Sequence, residues 1–293
     1  MLDRLPLELV QYIVFLTLPS SSSFTKYRER QDPLLALCST SRALCDVAQP
    51  VLFEAVNLEK QEAISSFLEV VEANKALGER VKALRLENDE WDDHVLAAPE
   101  GMSYAGLARF GQRCHQVLEV VVFRQYLVFP SFEAFPSLVR LTITHCTVVA
   151  HIPVRLSRLE ELSLMCIRFS GDALFTPSSF PRLEALHLHL VEDLDEIRMV
   201  LERMLAEPHM FPALTAIVFP VTFLGDPIPG YRASSSTDFE PLRRLCTTRN
   251  VELIFEDLPH PHYDSFISPE FVRRCKAQRA KKATDEVEEG EKE

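Results

Sequence analysis

Glycine is scarce in this chain, with 8 among 293 residues. A phosphate-cradling loop needs glycines close together so that backbone amides can reach the ligand. No such run occurs, and no Gly-x-Ser-x-Gly elbow either, which excludes the common nucleotide loops and the hydrolase nucleophile turn. Long apolar runs are missing as well. A membrane-spanning helix needs roughly 18 or more consecutive apolar residues. The richest stretch, Leu5 to Leu18, is interrupted by Glu8 and Gln11 and fits neither a span nor a standard signal peptide. Positive charge is in deficit: 31 Lys and Arg against 43 Asp and Glu leave a formal net charge of −12. Nucleic acid and anionic lipid are held by basic surface, so neither is expected as a partner, and a basic protein is the more natural one. Cysteine pairing is missing too. Cys38, Cys45, Cys114, Cys146, Cys166, Cys246 and Cys275 are odd in number, scattered and mostly set among apolar residues. That suits reduced thiols in an intracellular protein, cytoplasmic and/or nuclear, with no disulfide framework.

What the chain does have is an ordinary globular composition, 47% hydrophobic and 25% charged, enough for one large domain or two modest ones. The N-terminal part reads as a cluster of helices. Leu5, Leu9, Ile13 and Leu16 recur at helical spacing, with Pro6 suited to a first turn because its missing amide proton would have no partner there. Pro19 and Ser20 to Ser23 predict a polar loop reaching about Asp32, and Asp32-Pro33 reads as the cap and first turn of a second helix carrying Leu34, Leu35, Leu37 and Cys38. A third apolar stretch, through Leu44, Val47 and Ala48, is expected to close at Pro50, and a strand to begin between Phe53 and Leu58. Residues 61 to 78 predict a further helix, with Ile64, Phe67, Leu68, Val71 and Leu77 on one side and Gly78 as its terminator.

Beyond this point one pattern recurs: apolar, two variable, apolar, one variable, apolar. It occurs in Val81-Lys-Ala-Leu84-Arg-Leu86, Leu118-Glu-Val-Val121-Val-Phe123, Leu138-Val-Arg-Leu141-Thr-Ile143, Leu159-Glu-Glu-Leu162-Ser-Leu164, Leu183-Glu-Ala-Leu186-His-Leu188 and Leu214-Thr-Ala-Ile217-Val-Phe219. The starts lie 37, 20, 21, 24 and 31 residues apart, so the middle units match the spacing of leucine-rich repeats while the outer ones carry insertions. The third unit runs on to Cys146, as the fuller form of that pattern requires, and Val251 to Phe255 is a degraded seventh. One repeat cannot bury its own apolar face, so repeats stack, each giving a strand to a shared parallel sheet and a returning helix or loop behind it. Phe-Pro-x-Leu precedes three of the strands, at Phe135, Phe180 and Phe211; proline ends the preceding element and the phenylalanine is expected to plug the core.

The polar residues between core positions are expected to face outward on the concave side and read a protein substrate. They are Arg85, Glu87, Arg124, Arg140, Thr142, Thr144, Glu161, Ser163, His187 and His189. His187 and His189 share a strand face at a spacing that suits a metal, but no Cys-x-x-Cys or His-Glu-x-x-His accompanies them, so no metal or other cofactor is expected. His260-Pro261-His262 is read the same way. The acidic run Glu87, Asp89, Glu90, Asp92 and Asp93 around Trp91 reads as a solvated loop, with capture of a basic segment as the functional alternative. From about residue 273, Arg273, Arg274, Lys276, Lys281 and Lys282 precede an acidic end, which predicts a disordered charged tail; a nuclear import signal is the alternative reading of its basic part.

The N-terminal residues carry a family resemblance. Leu5-Pro6-x-Glu8-Leu9-x-x-x-Ile13, then Leu34-x-x-Leu37-x-x-x-Ser41-Arg42-x-Leu44-x-x-x-Ala48, resembles the F-box in its fungal form, over roughly residues 3 to 56. The loop from Pro19 to Asp32 is longer and richer in serine than in a compact F-box, and Leu44 stands where many members carry Trp. The resemblance implies a three-helix module that binds a Skp-family adaptor and, through it, a cullin and a RING subunit. By motif position Leu5, Pro6, Leu9, Ile13, Leu37 and Leu44 would meet the adaptor or hold the module together.

The expected fold class is therefore α/β: an N-terminal three-helix F-box followed by an irregular leucine-rich-repeat solenoid with a parallel β-sheet on its concave face. The expected divisions are residues 1–56 for the F-box, 57–80 for a connecting strand and helix, 81–258 for the repeats and 259–293 for a C-terminal segment. The function expected is substrate recognition within a ubiquitin ligase, without enzymatic activity of the chain itself. A repeat-based interaction scaffold with a vestigial F-box is the alternative, and an enzyme would need a constellation assembled from distant residues.

Overall fold

A β-strand forms at each of the six apolar triplets, and in five of them the triplet is the core face. The second is corrected by one residue, with Val117, Val120 and Val122 in the core, Val121 and Phe123 on the opposite face and Leu118 exposed. The structure, a computed structural model, describes residues 6–16, 24, 27–87, 104–165, 167–170, 175–176, 178–189, 194–207, 209–220 and 239–256. The strands in chain order are β1 (Ala55–Leu58), β2 (Ala83–Glu87), β3 (Glu119–Phe123), β4 (Tyr126–Val128), β5 (Arg140–Thr144), β6 (Thr147–Val149), β7 (Glu161–Met165), β8 (Arg168–Ser170), β9 (Ala185–His189), β10 (Ala216–Pro220) and β11 (Glu252–Glu256). Eight of them form one sheet in the order β1-β2-β3-β5-β7-β9-β10-β11, all neighbours parallel, so the chain advances by one strand position at each crossover. The short β4, β6 and β8 form a second parallel sheet.

Register follows from the leucine spacing. Leu84, Val120, Leu141, Leu162, Leu186 and Ile217 are aligned partners along one row, and all are fully buried. Burying each contributes about 2 kcal/mol relative to solvent. A slip by one residue would turn the whole row to the opposite face, which is why the register is firmly set. The Phe-Pro-x-Leu segments are tight turns. Leu138, Leu183 and Leu214 donate their amides to Phe135, Phe180 and Phe211 at 3.1, 3.3 and 3.1 Å, and the three phenylalanines are buried. Phe180 and Phe211 stack at 6.4 Å between centroids, and Phe129 meets Phe180 edge-on at 6.1 Å, so the turns add a continuous aromatic seam to the core. Cys146, also buried, joins two units: its Sγ accepts from the Gln125 amide at 3.4 Å and donates to the Thr144 carbonyl at 3.1 Å.

Helices return the chain between strands: α4 (Gln61–Ala73) and α5 (Lys75–Gly78), α6 (Tyr104–Arg113), a 3-10 segment (Phe129–Ala134), α7 (Leu194–Ala206) and α8 (Glu240–Thr248). Arg249 ties the last two together, donating to the carbonyls of Leu205, Glu207 and Met210 at 3.2, 2.8 and 2.7 Å and so satisfying acceptors at the end of α7. The helix expected over 61–78 is broken at Asn74, whose backbone leaves the helical region (φ −127, ψ 88) and whose side chain caps α5 by accepting from Leu77. Gly78 is not an ordinary helix stop. It lies where a Cβ would stand 2.5 Å from the Arg113 carbonyl oxygen, so the close approach of α6 requires a residue without one. The stretch read as a connector is part of the sheet: β1 is an edge strand, and α4 and α5 are its crossover.

Ahead of the sheet lie α1 (Leu7–Leu16), α2 (Tyr27–Thr40) and α3 (Arg42–Leu52), packed around Val14, Leu34 and Ala48. Ser41 caps α3, its Oγ accepting from the Leu44 amide at 3.2 Å. Neither proline acts as expected. Pro33 lies inside α2, which begins at Tyr27 rather than at Asp32, and Pro50 lies inside the last turn of α3. Residues ahead of Pro33 pack against the sheet, described next, and this favours the helix that the proline weakens.

Candidate functional site

Helix α1 is apolar nearly all round, and only one side of it is used. Val10 and Val14 face α3 and are buried. Leu9, Ile13 and Leu16, the stripe that sequence spacing marks as the packing face, are exposed instead, together with Leu7, Tyr12 and Phe15. Leu9 is 50% and Phe15 70% accessible, against 1% for Val14. Leu35 of α2 is exposed as well. Isolated exposed leucines are common, but a ten-residue helix with this many exposed apolar side chains is not. The six residues singled out by motif thus divide. Pro6, Leu9 and Ile13 are exposed, Leu37 packs at the edge of the three-helix core, Leu44 is buried, and Leu5 lies outside the described residues.

The outward-facing row of the main sheet differs from its expected state. Asn57, Arg85, Val121, Thr142, Ser163, His187, Val218 and Ile254 are successive partners across it. Thr144 and Ser163 have no accessible surface, His187 has 3%, and Thr142 and Arg85 are also buried, so the solvent exposure read from polarity is corrected. Arg85 pairs with Glu87 at 3.0 Å and lies 5.1 Å over the Phe123 ring; Arg140 pairs with Glu119 at 2.9 Å. Burial pushes the His187 pKa down to about 3, so the imidazole is neutral in the fold. Arg124 and His145 take left-handed backbone (φ 50 and 52) at equivalent corners after β3 and β5, and both are half-buried. Glu161 is half-buried on β7, and His189 is in β9 with its side chain outside the description.

At the β1 end of this face, cover comes from the segment read as a polar loop. Phe24 is buried against Ala55, Ala83, Val121 and Phe123, with Tyr27 packed beside it. The Tyr27 hydroxyl accepts from the Asn57 amide at 3.1 Å, and burial raises its pKa. Glu54 receives Lys82 at 2.7 Å and Arg30 at 3.5 Å, joining α2 to the start of β2. Sequence reasoning passed over Phe24 because a lone aromatic in a serine-rich stretch has no period to reveal it.

Among the described residues no group of three or more His, Cys, Asp and Glu side chains is placed to hold a metal ion, and no helix is long and apolar enough to cross a membrane. Cys114 and Cys246 are buried, and burial pushes their thiols up to about 12 and about 11, far from reactive thiolates. The acidic run at Asp89 to Asp93 with Trp91, the His260 and His262 pair, and the tail from residue 273 lie outside the described residues. No family model, no curated protein and no solved structure matches the chain.

Proposed function

We propose that this chain is the substrate-recognition subunit of an SCF-type (Skp-cullin-F-box) E3 ubiquitin ligase. In this reading residues 1–56 are the F-box, α1 binds a Skp-family adaptor that brings cullin and RING subunits, and the parallel-stranded unit is a leucine-rich-repeat solenoid that binds a protein substrate. The chain acts by juxtaposition and carries no catalytic residue, and its compartment is cytoplasmic and/or nuclear. The observation that carries the reading is the outward apolar side of α1, anchored from behind by Val10 and Val14. Helix-in-groove recognition uses such anchors one and two turns apart. The unbroken strand order of the main sheet supports the second half, since each strand pairs with that of the next unit along the chain.

The test is co-purification of the full chain with a Skp-family adaptor and cullin. Leu9→Asp and Ile13→Asp place a charge on the exposed side, so adaptor should be lost while the melting temperature stays close to wild type. Val14→Asp, in the core, should unfold the module. Adaptor binding that survives both surface charges would refute the reading. An adaptor complex that never contains cullin would favour the interaction scaffold instead.

A further inference from the structure

The two edges of the main sheet are finished differently. At β1 the Asn57 amide donates to the Tyr27 hydroxyl at 3.1 Å, so the N-terminal helices close that edge. At the other end β11 has no strand on its outer side among the described residues. Glu252 turns its amide inward, donating to the Thr215 carbonyl ahead of β10 at 2.8 Å. By the alternation of a strand, Leu253 and Phe255 turn their N–H and C=O groups outward. A groove of about 600 Å³ lies beside this strand, lined by Glu240, Arg243, Arg244, Cys246, Thr247 and Thr248 of α8 and by Val251 and Leu253. The threonine hydroxyls are already committed to the Arg243 and Arg244 carbonyls at 2.9 Å each, and Arg244 is bound to Glu240 at 3.1 Å. Arg243, exposed and 5.0 Å over the Phe255 ring, is paired with no carboxylate among the described residues.

An open strand edge is a template for a further strand, and its side-chain neighbours decide which one. We propose that β11 is a docking edge for an extended segment of a partner protein, added as a strand with an acidic side chain on the side facing α8. The acid would meet Arg243, and its neighbours in sequence, pointing to the other face, would meet Ile254. A second copy of this chain fits less well, because β11 brings Leu253 and Phe255 to the α8 side and offers no acid there. The proposal is independent of the ubiquitin-ligase reading, since it concerns the opposite end of the sheet from α1.

The experiment is amide exchange on the full chain, read at Leu253 and Phe255, with acetylated Val-Asp-Val-Asp-Val as probe and Val-Lys-Val-Lys-Val as control. The acidic peptide should bind saturably and slow exchange at both amides, and Arg243→Glu or Arg243→Gln should weaken binding about tenfold or more. Equal binding of the two peptides, or binding indifferent to both substitutions in protein of unchanged melting temperature, would overturn it. So would amides already protected in the free chain, which would assign the edge to the chain's own residues, or protection that grows with protein concentration, which would assign it to a second copy.

Discussion

Acidification should destabilise this protein through His187, by an amount that follows from its burial. The imidazole has an ordinary pKa of 6.5 in the unfolded chain and one lowered to about 3 in the fold. Its register partners, Ser163 on β7 and Val218 on β10, do not ionise in this range. Above pH 6.5 both states hold it neutral, and nothing is lost. Between 6.5 and about 3 only the unfolded chain takes the proton, so stability falls by about 1.4 kcal/mol per pH unit. From pH 7 to pH 5 that amounts to about 2 kcal/mol, or about 4–8 °C in melting temperature for a unit of this size. Other groups titrate over the same interval, so the informative quantity is a difference of differences. His187→Leu keeps the volume close and removes the titration. Urea melts of both proteins at pH 7 and pH 5 should show the wild type losing about 2 kcal/mol more than the variant. Equal losses would mean that the imidazole reaches solvent in the fold, and the argument for a closed sheet face would fail with it.

Two further substitutions probe how the parts are joined. Phe24→Ala removes a ring buried on Ala55, Ala83, Val121 and Phe123, and should cost about 3 kcal/mol with faster exchange at the Asn57 amide; an unchanged melt would mean that the segment is not docked in solution. Gly111→Ala puts a Cβ 2.5 Å from both the carbonyl carbon and oxygen of Ala134, so α6 must move off the 3-10 segment. A loss of about 1–3 kcal/mol in a denaturant titration is expected, and a neutral effect would show that the two elements have room to separate.

Much of the sheet is legible in the sequence. Strands β2, β3, β5, β7, β9 and β10 sit on the six apolar triplets, and the Phe-Pro-x-Leu turns are closed by the phenylalanine carbonyl and leucine amide that bracket the proline. These are local properties, fixed by period-2 alternation and by the backbone limits of proline. The degraded seventh pattern is β11, close to where its apolar residues place it. The helical ends are less legible. Pro33 and Pro50 read as boundaries because isolated proline disfavours helix; at Pro33 the contacts that override this, those of Phe24 and Tyr27, reach residues far along the chain.

The sequence by itself determined where β2, β3, β5, β7, β9, β10 and β11 lie and, for each of the first six except β3, which side carries the core. The valine run of β3 fits either face, and β4, β6 and β8 are too short to show a period. The tertiary structure decided three things that spacing leaves open. It selected Val10 and Val14, not the Leu9 and Ile13 stripe, to face the helical core, since two apolar faces of one helix compete and the neighbouring α3 fits only one. It buried the polar row of Thr142, Ser163 and His187, because burial depends on tertiary packing rather than on the polarity of the side chain. It also sealed β1 with Tyr27 and left β11 open among the described residues, a difference set by which distant segment reaches each edge.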